Sequence, residues 1–153
     1  MKTKILFSAL LIGILFTACK KNETPAPTES STTPSWAAKV NGTDYTWTDP
    51  KAEIFFTTKL MVSASCDKYT SQIFIKDYKT KVAGTYRTED DFNANIMGSD
   101  GFRFTTASEG QFVISKIDQT NRKISGTFNY KITNHSGGDS LTVTGGVFNN
   151  LSW

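Results

Sequence analysis

The chain has 153 residues, 17 Lys and Arg against 14 Asp and Glu, one histidine, two cysteines and 12% aromatic residues. That length suits one domain with a core of useful size. A charge of only +3, with no basic stripe carrying interleaved aromatics, speaks against a nucleic-acid partner.

At the N-terminus, residues 1–4 carry two lysines, and residues 5–16 are apolar apart from Ser8 and Gly13. About twelve residues fall short of the roughly 20 that span a bilayer. A charged start, a short apolar run and small residues before a cut site make a secretory signal. Here the small residues Thr17 and Ala18 stand directly before Cys19. The arrangement resembles the bacterial lipoprotein signal, with Phe16 in place of the usual Leu. The resemblance implies that residues 1–18 are removed and that Cys19 is lipidated through its thiol and its new amine. Three acyl chains, each stabilised by about 0.8 kcal/mol per buried CH₂, would hold the protein to a membrane permanently. A lipidated Cys19 cannot pair with Cys66. The alternative is an ordinary cleaved signal that leaves a free cysteine nearby. Lys20 resembles the residue that permits sorting to the outer membrane, with the periplasmic or surface face left open. Loss of Lys2 and Lys4 with the signal leaves 15 basic against 14 acidic residues.

Residues 19–35 follow as a stretch rich in Thr, Ser and Pro, holding Pro25, Pro27 and Pro34. Such a composition cannot bury apolar area and predicts a disordered tether. Its typical reach is about 20–25 Å.

The domain proper is expected over residues 36–153. Apolar and polar residues alternate through it, and no dozen residues keep a helical period. Asn41-Gly42 is the strongest two-residue hairpin signal, joining strands over 38–40 and 43–47. Further strands are expected over 53–57, 60–66, 72–77, 84–87 and 101–105. The C-terminal third reads as a three-stranded antiparallel meander: 111–117, then 124–133, then 141–144. Leu141 and Val143 share a face, whereas Phe148 has the opposite parity, so a bulge at Gly145-Gly146 is expected to restore its direction. The fold class is therefore all-β, a single antiparallel sandwich with this meander at its end. A closed lipocalin-like barrel is the alternative.

The run Ile124-Ser125-Gly126-Thr127-Phe128-Asn129-Tyr130, followed by Leu141-Thr142-Val143-Thr144-Gly145-Gly146-Val147-Phe148, resembles the C-terminal signature of small uncharacterised Bacteroidetes lipoproteins. In that group an early Asn-Gly hairpin also follows a tether. The resemblance implies an envelope β-domain and brings no activity and no functional residues.

Candidates for chemistry are few. His135 lies in a turn-rich loop with no nucleophile elbow beside it, and reads as a solvated histidine. Cys66 shares a strand face with Val62 and Ala64, as a small buried hydrophobe does. The acidic stretch 89–101 reads as a solvated loop, although Asp91, Asn93, Asn95 and Asp100 offer oxygens of the kind calcium takes. The EF-hand template fails there, because Ile96 occupies its glycine position and Phe102 its terminal carboxylate position. No metal, cofactor or enzymatic activity is therefore expected.

Trp36, Trp47, Tyr69 and Tyr78, with Tyr45 and Trp153, are harder to assign to the core. Exposed Tyr and Trp beside polar groups suit sugar-binding or protein-binding surfaces. Asp139-Ser140-Leu141 resembles the bacterial acceptor for O-glycosylation, which would make Ser140 the modified residue. The expected function is a lipid-anchored, non-enzymatic binding or accessory module of the cell envelope, with a glycan or an envelope protein as ligand. The alternatives are a carrier of a small apolar ligand inside a barrel and a purely structural role.

Overall fold

The structure is a computed structural model that describes residues 33–88, 90–101, 103–105, 107–133 and 139–153. The described residues form eleven strands: β1 (Ser35–Val40), β2 (Thr43–Asp44), β3 (Thr48–Phe55), β4 (Lys59–Ser65), β5 (Tyr69–Lys76), β6 (Gly84–Arg87), β7 (Phe92–Gly98), β8 (Arg103–Thr105), β9 (Ala107–Asp118), β10 (Lys123–Thr133) and β11 (Ser140–Ser152). Among the described residues the one helical element is a 3₁₀ turn, Tyr78–Thr80. Two antiparallel sheets form, ordered β2-β1-β11-β10-β9-β6 and β3-β4-β5-β7-β8. They pack face to face as a sandwich and do not close into a barrel, which removes the lipocalin-like alternative.

The Asn41-Gly42 turn forms as its residue types require, with φ of 49° and 78°. The strand expected over 43–47 is shorter, ending at Asp44, and beyond it the Trp47 indole N–H donates to the Ala38 carbonyl at 2.9 Å. The meander β9-β10-β11 is present as expected. Gly145 takes a φ of 59°, and the register slips by one residue between Phe128↔Gly146 and Tyr130↔Val143, which turns Phe148 inward. A second left-handed residue, Asn150, repeats the slip before Leu151, so Leu141, Val143, Phe148 and Leu151 all reach the core.

The stretch 89–101 differs from the expected loop. Most of it is strand β7, with Phe92, Ala94 and Ile96 buried and Asn93 and Asn95 half-buried on the outer face. Burial of three alternate apolar residues outweighs the turn propensity of the asparagines between them.

The core is aromatic. Phe92, Phe112, Phe148, Phe128 and Trp36 form a continuous contact path, with successive ring centroids 5.5, 5.3, 6.3 and 4.8 Å apart. Register places two of these rings opposite glycines of the neighbouring strand: Phe148 opposite Gly126, and Phe128 opposite Gly146. A Cβ on Gly146 would lie 2.4 Å from the Phe128 ring, and one on Gly126 would lie 2.7 Å from the Phe148 ring. Each ring thus lies over the bare backbone across from it. Between the sheets, the Ser71 and Tyr130 hydroxyls share a buried hydrogen bond of 2.8 Å. Burial pushes the Tyr130 phenol far above its ordinary pKa, against a smaller opposing effect of that hydrogen bond.

Strand direction gives the sandwich two distinct ends. The chain enters β1 at Ser35 beside the β9–β10 turn and the C-terminal Trp153. Tyr78, just past β5, packs on Trp153 with centroids 5.9 Å apart and accepts through its carbonyl from Gln119 at 2.9 Å. Because Lys76 pairs with Lys59, the β3–β4 turn lies at this same entry end. The Asn41-Gly42 turn, the β4–β5 turn, the β7–β8 turn and the start of β11 lie at the far end.

The glycine-to-ring pairs make a direct prediction. Gly146→Ala should cost about 2 kcal/mol, the usual scale for overpacking a filled core. In a Phe128→Leu background the same change should cost markedly less, because the ring it strikes is gone. Urea unfolding of the four proteins measures the coupling, and strictly additive effects would contradict the contact.

Candidate functional site

Three turns far apart in sequence meet at the far end of the sandwich. The β4–β5 turn brings Lys68 and Tyr69, the β7–β8 turn brings Gly98, Ser99 and Asp100, and the lead-in to β11 brings Asp139 and Leu141. Together they line a cleft of about 280 Å³. The turns hold one another: the Ser99 amide donates to the Lys68 carbonyl at 2.9 Å, the Cys66 amide donates to the Tyr69 carbonyl at 2.7 Å, and the Tyr69 amide donates to the Cys66 sulfur at 3.2 Å. Cys66 itself is half-buried at this rim, just beyond β4, instead of fully interior.

Tyr69 is braced edge-on by Tyr45, their centroids 5.2 Å apart, and the Lys68 ammonium lies 5.5 Å from the Tyr69 ring centre. The Tyr69 side chain, then Tyr45 and Asp100, raise the Lys68 pKa above its ordinary value. Desolvation and then Tyr69 raise that of Tyr45. The cleft therefore offers a fixed aromatic face, a cation that stays protonated, and two carboxylates. Aromatic faces beside charged hydrogen-bonding groups suit capture of a polar ligand with flat apolar patches. Among the described residues no three of His, Cys, Asp and Glu converge as metal ligands would.

The singled-out residues fall in several places. Tyr69 and Asp100 line the cleft, and Ser140 is exposed at its rim between Asp139 and Leu141. Trp36, Trp47 and Tyr78 are not exposed, contrary to the expectation for binding aromatics. Trp36 packs on Trp47, Phe128 and Phe148, and Tyr78 on Trp153, because all these rings occupy the space between the sheets or its entry end. Their burial removes them as ligand contacts. The Trp36 indole N–H has no partner among the described residues. Cys19 and His135 lie outside the described residues.

The four oxygen-bearing candidates are also separated. Asp91 is at the entry end, where its carboxylate accepts from the Lys81 ammonium, while Asp100 is at the far end. The strand between them puts them on the order of 25 Å apart at about 3.3 Å per residue. Asn93 and Asn95 face outward between the two. Asp139 enters the sequence reading only as part of the Asp139-Ser140-Leu141 motif, and nothing local marks Lys68. At the β3–β4 turn Phe55 and Phe56 are both exposed, and the Phe55 ring centroid lies 4.5 Å from that of Phe56 and 5.0 Å from that of Phe74. Two adjacent large apolar residues cannot both face inward from a strand, and that was a legible signal.

The Lys81 hydrogen bond, opposed in part by desolvation, holds the Asp91 carboxyl below the usual carboxylate range. A folded pKa below the unfolded one means stability that is present above about pH 4 and is lost as pH falls through the folded value. Asp91→Asn should therefore destabilise by about 1 kcal/mol at neutral pH, with the difference closing in acid. Millimolar calcium should leave the melting temperature of the unsubstituted protein unchanged. A calcium-dependent rise would show that the folded protein binds the cation.

No curated protein and no solved structure matches the chain. A family model described as a domain of unknown function, DUF6252, matches residues 32–152, the whole run of strands, and the chain belongs to that family.

Proposed function

We propose that this protein is a lipid-anchored module of the bacterial cell envelope, held to the outer membrane through Cys19, that binds a glycan or an envelope-protein segment without catalysing a reaction. The observation that carries this reading is the cleft of Lys68, Tyr69, Asp100 and Asp139 at the end of the sandwich opposite the one where the tether enters. A chain tethered at Ser35 would present that cleft away from the membrane.

The filled space between the sheets supports binding at the surface over carriage in an interior cavity. Phe92, Phe112, Phe148, Phe128 and Trp36 occupy the volume a carrier would leave open. The signal ending at Cys19 and the likeness of residues 124–148 to Bacteroidetes lipoproteins support the location. Ser140, exposed beside the cleft, is suitably placed for O-glycosylation, and a sugar there would cover part of the rim.

Two measurements check the reading. Mass spectrometry of the mature N-terminus should find Cys19 carrying acyl chains, whereas a bare thiol would remove the anchor. An array of envelope glycans and peptides probed with the protein should give a binder that Tyr69→Ala weakens at least about tenfold, the scale of a lost aromatic contact. Binding that survives Tyr69→Ala undiminished would move the site away from the cleft.

A further inference from the structure

The entry end of the sandwich carries an apolar tip that the fold does not need. Phe56 is 73% exposed, Ile54 52% and Phe55 40%, all at the β3–β4 turn. Val82, 67% exposed, lies on the same end beyond the 3₁₀ turn. Phe56 also has a φ of 53°, in the left-handed region that bulky residues rarely adopt. Asn or Gly would hold this turn with less backbone strain, and any polar side chain would be better solvated. Both its backbone and its side chain therefore count against a purely structural reason for Phe56.

We propose that the Phe55-Phe56 tip inserts into the surface of a lipid bilayer, giving the domain a second, non-covalent contact with the membrane beside its acyl anchor. The proposal rests on the lipid-anchor reading for its biological setting.

Three observations favour a bilayer over a protein partner. First, the tip is at the end where the chain enters β1, and position 19 is only 16 residues before Ser35, so the tip stays within a few tens of ångströms of the acylated residue. Second, the three turns of this end, residues 56–59, 76–82 and 118–123, carry six Lys and Arg against two Asp. Asp90 and Asp91 lie beside them, the latter paired with Lys81. A few protruding apolar side chains with cations around them match an interface of headgroups and acyl chains. Third, β3 is an edge strand with features that oppose pairing to a second copy: Pro50, a register slip between Thr48 and Lys51, and the outward pair Lys51–Glu53. Docked in this way, the sandwich would stand on its entry end with the cleft facing out.

The test uses the mature chain from position 19 with Cys19→Ser, so that no acyl group contributes. Flotation with vesicles of phosphatidylethanolamine and phosphatidylglycerol should carry this protein with the lipid. Phe56→Asn should reduce the vesicle-bound fraction roughly tenfold, as expected for loss of one inserted aromatic side chain. Its melting temperature should stay the same or rise, because the strained, exposed ring is gone. Failure of the Cys19→Ser chain to float, or equal flotation of the Phe56→Asn variant, would overturn the proposal. So would a dimer in sizing experiments that Phe56→Asn converts to monomer, which would assign the tip to self-association. Since the tested chain cannot be acylated, these outcomes are independent of whether Cys19 carries lipid in the cell.

Discussion

Two aromatic rings placed opposite two glycines hold this sandwich together. On β10 and β11 the order is reciprocal, with Gly126 facing Phe148 and Gly146 facing Phe128. Neither ring would fit over a residue bearing a Cβ, since the nearest ring atoms would be 2.7 and 2.4 Å away. With the glycines in place, Phe128 and Phe148 lie low over the sheet and meet Trp36 and Phe112. Further packing reaches across to Phe92 on the opposite sheet. The run of glycine and phenylalanine that marks the C-terminal third is thus explained by packing alone, without appeal to a ligand.

A core filled in this way leaves function to the surface, and the surface is not uniform. The strand directions bring the chain into β1 at one end and gather three turns at the other. At the far end the turns build a cleft with one braced tyrosine and charges of both signs. At the entry end the β3–β4 turn holds aromatic side chains out in water. One end is a polar cleft, the other an apolar tip among cations, and the body between them fixes their opposition.

Much of the fold was legible in the sequence, because period-2 alternation and turn chemistry are local. The Asn41-Gly42 hairpin, the C-terminal meander and the bulge before Phe148 all follow from residues within a few positions of one another. Strand β7 was missed for a local reason as well: the acidic residues before Phe92 and the asparagines at 93 and 95 hid the alternation of Phe92, Ala94 and Ile96. The burial of Trp36 was not legible, since its neighbours Phe128 and Phe148 come from strands about 90 and 110 residues further along the chain. The cleft was illegible for the same reason. Its residues come from three turns spread over 68–141, and Lys68 and Asp139 gain meaning only when Tyr69 and Asp100 are beside them.

The interior is full, and the binding we propose takes place outside it. NMR of protein carrying labelled phenylalanine rings, titrated with palmitate, tests this most directly. The account predicts that the resonances of Phe112, Phe128 and Phe148 do not move, and that any response is confined to Phe55 and Phe56. Saturable shifts at the three interior rings would show a ligand entering between the sheets and would contradict it.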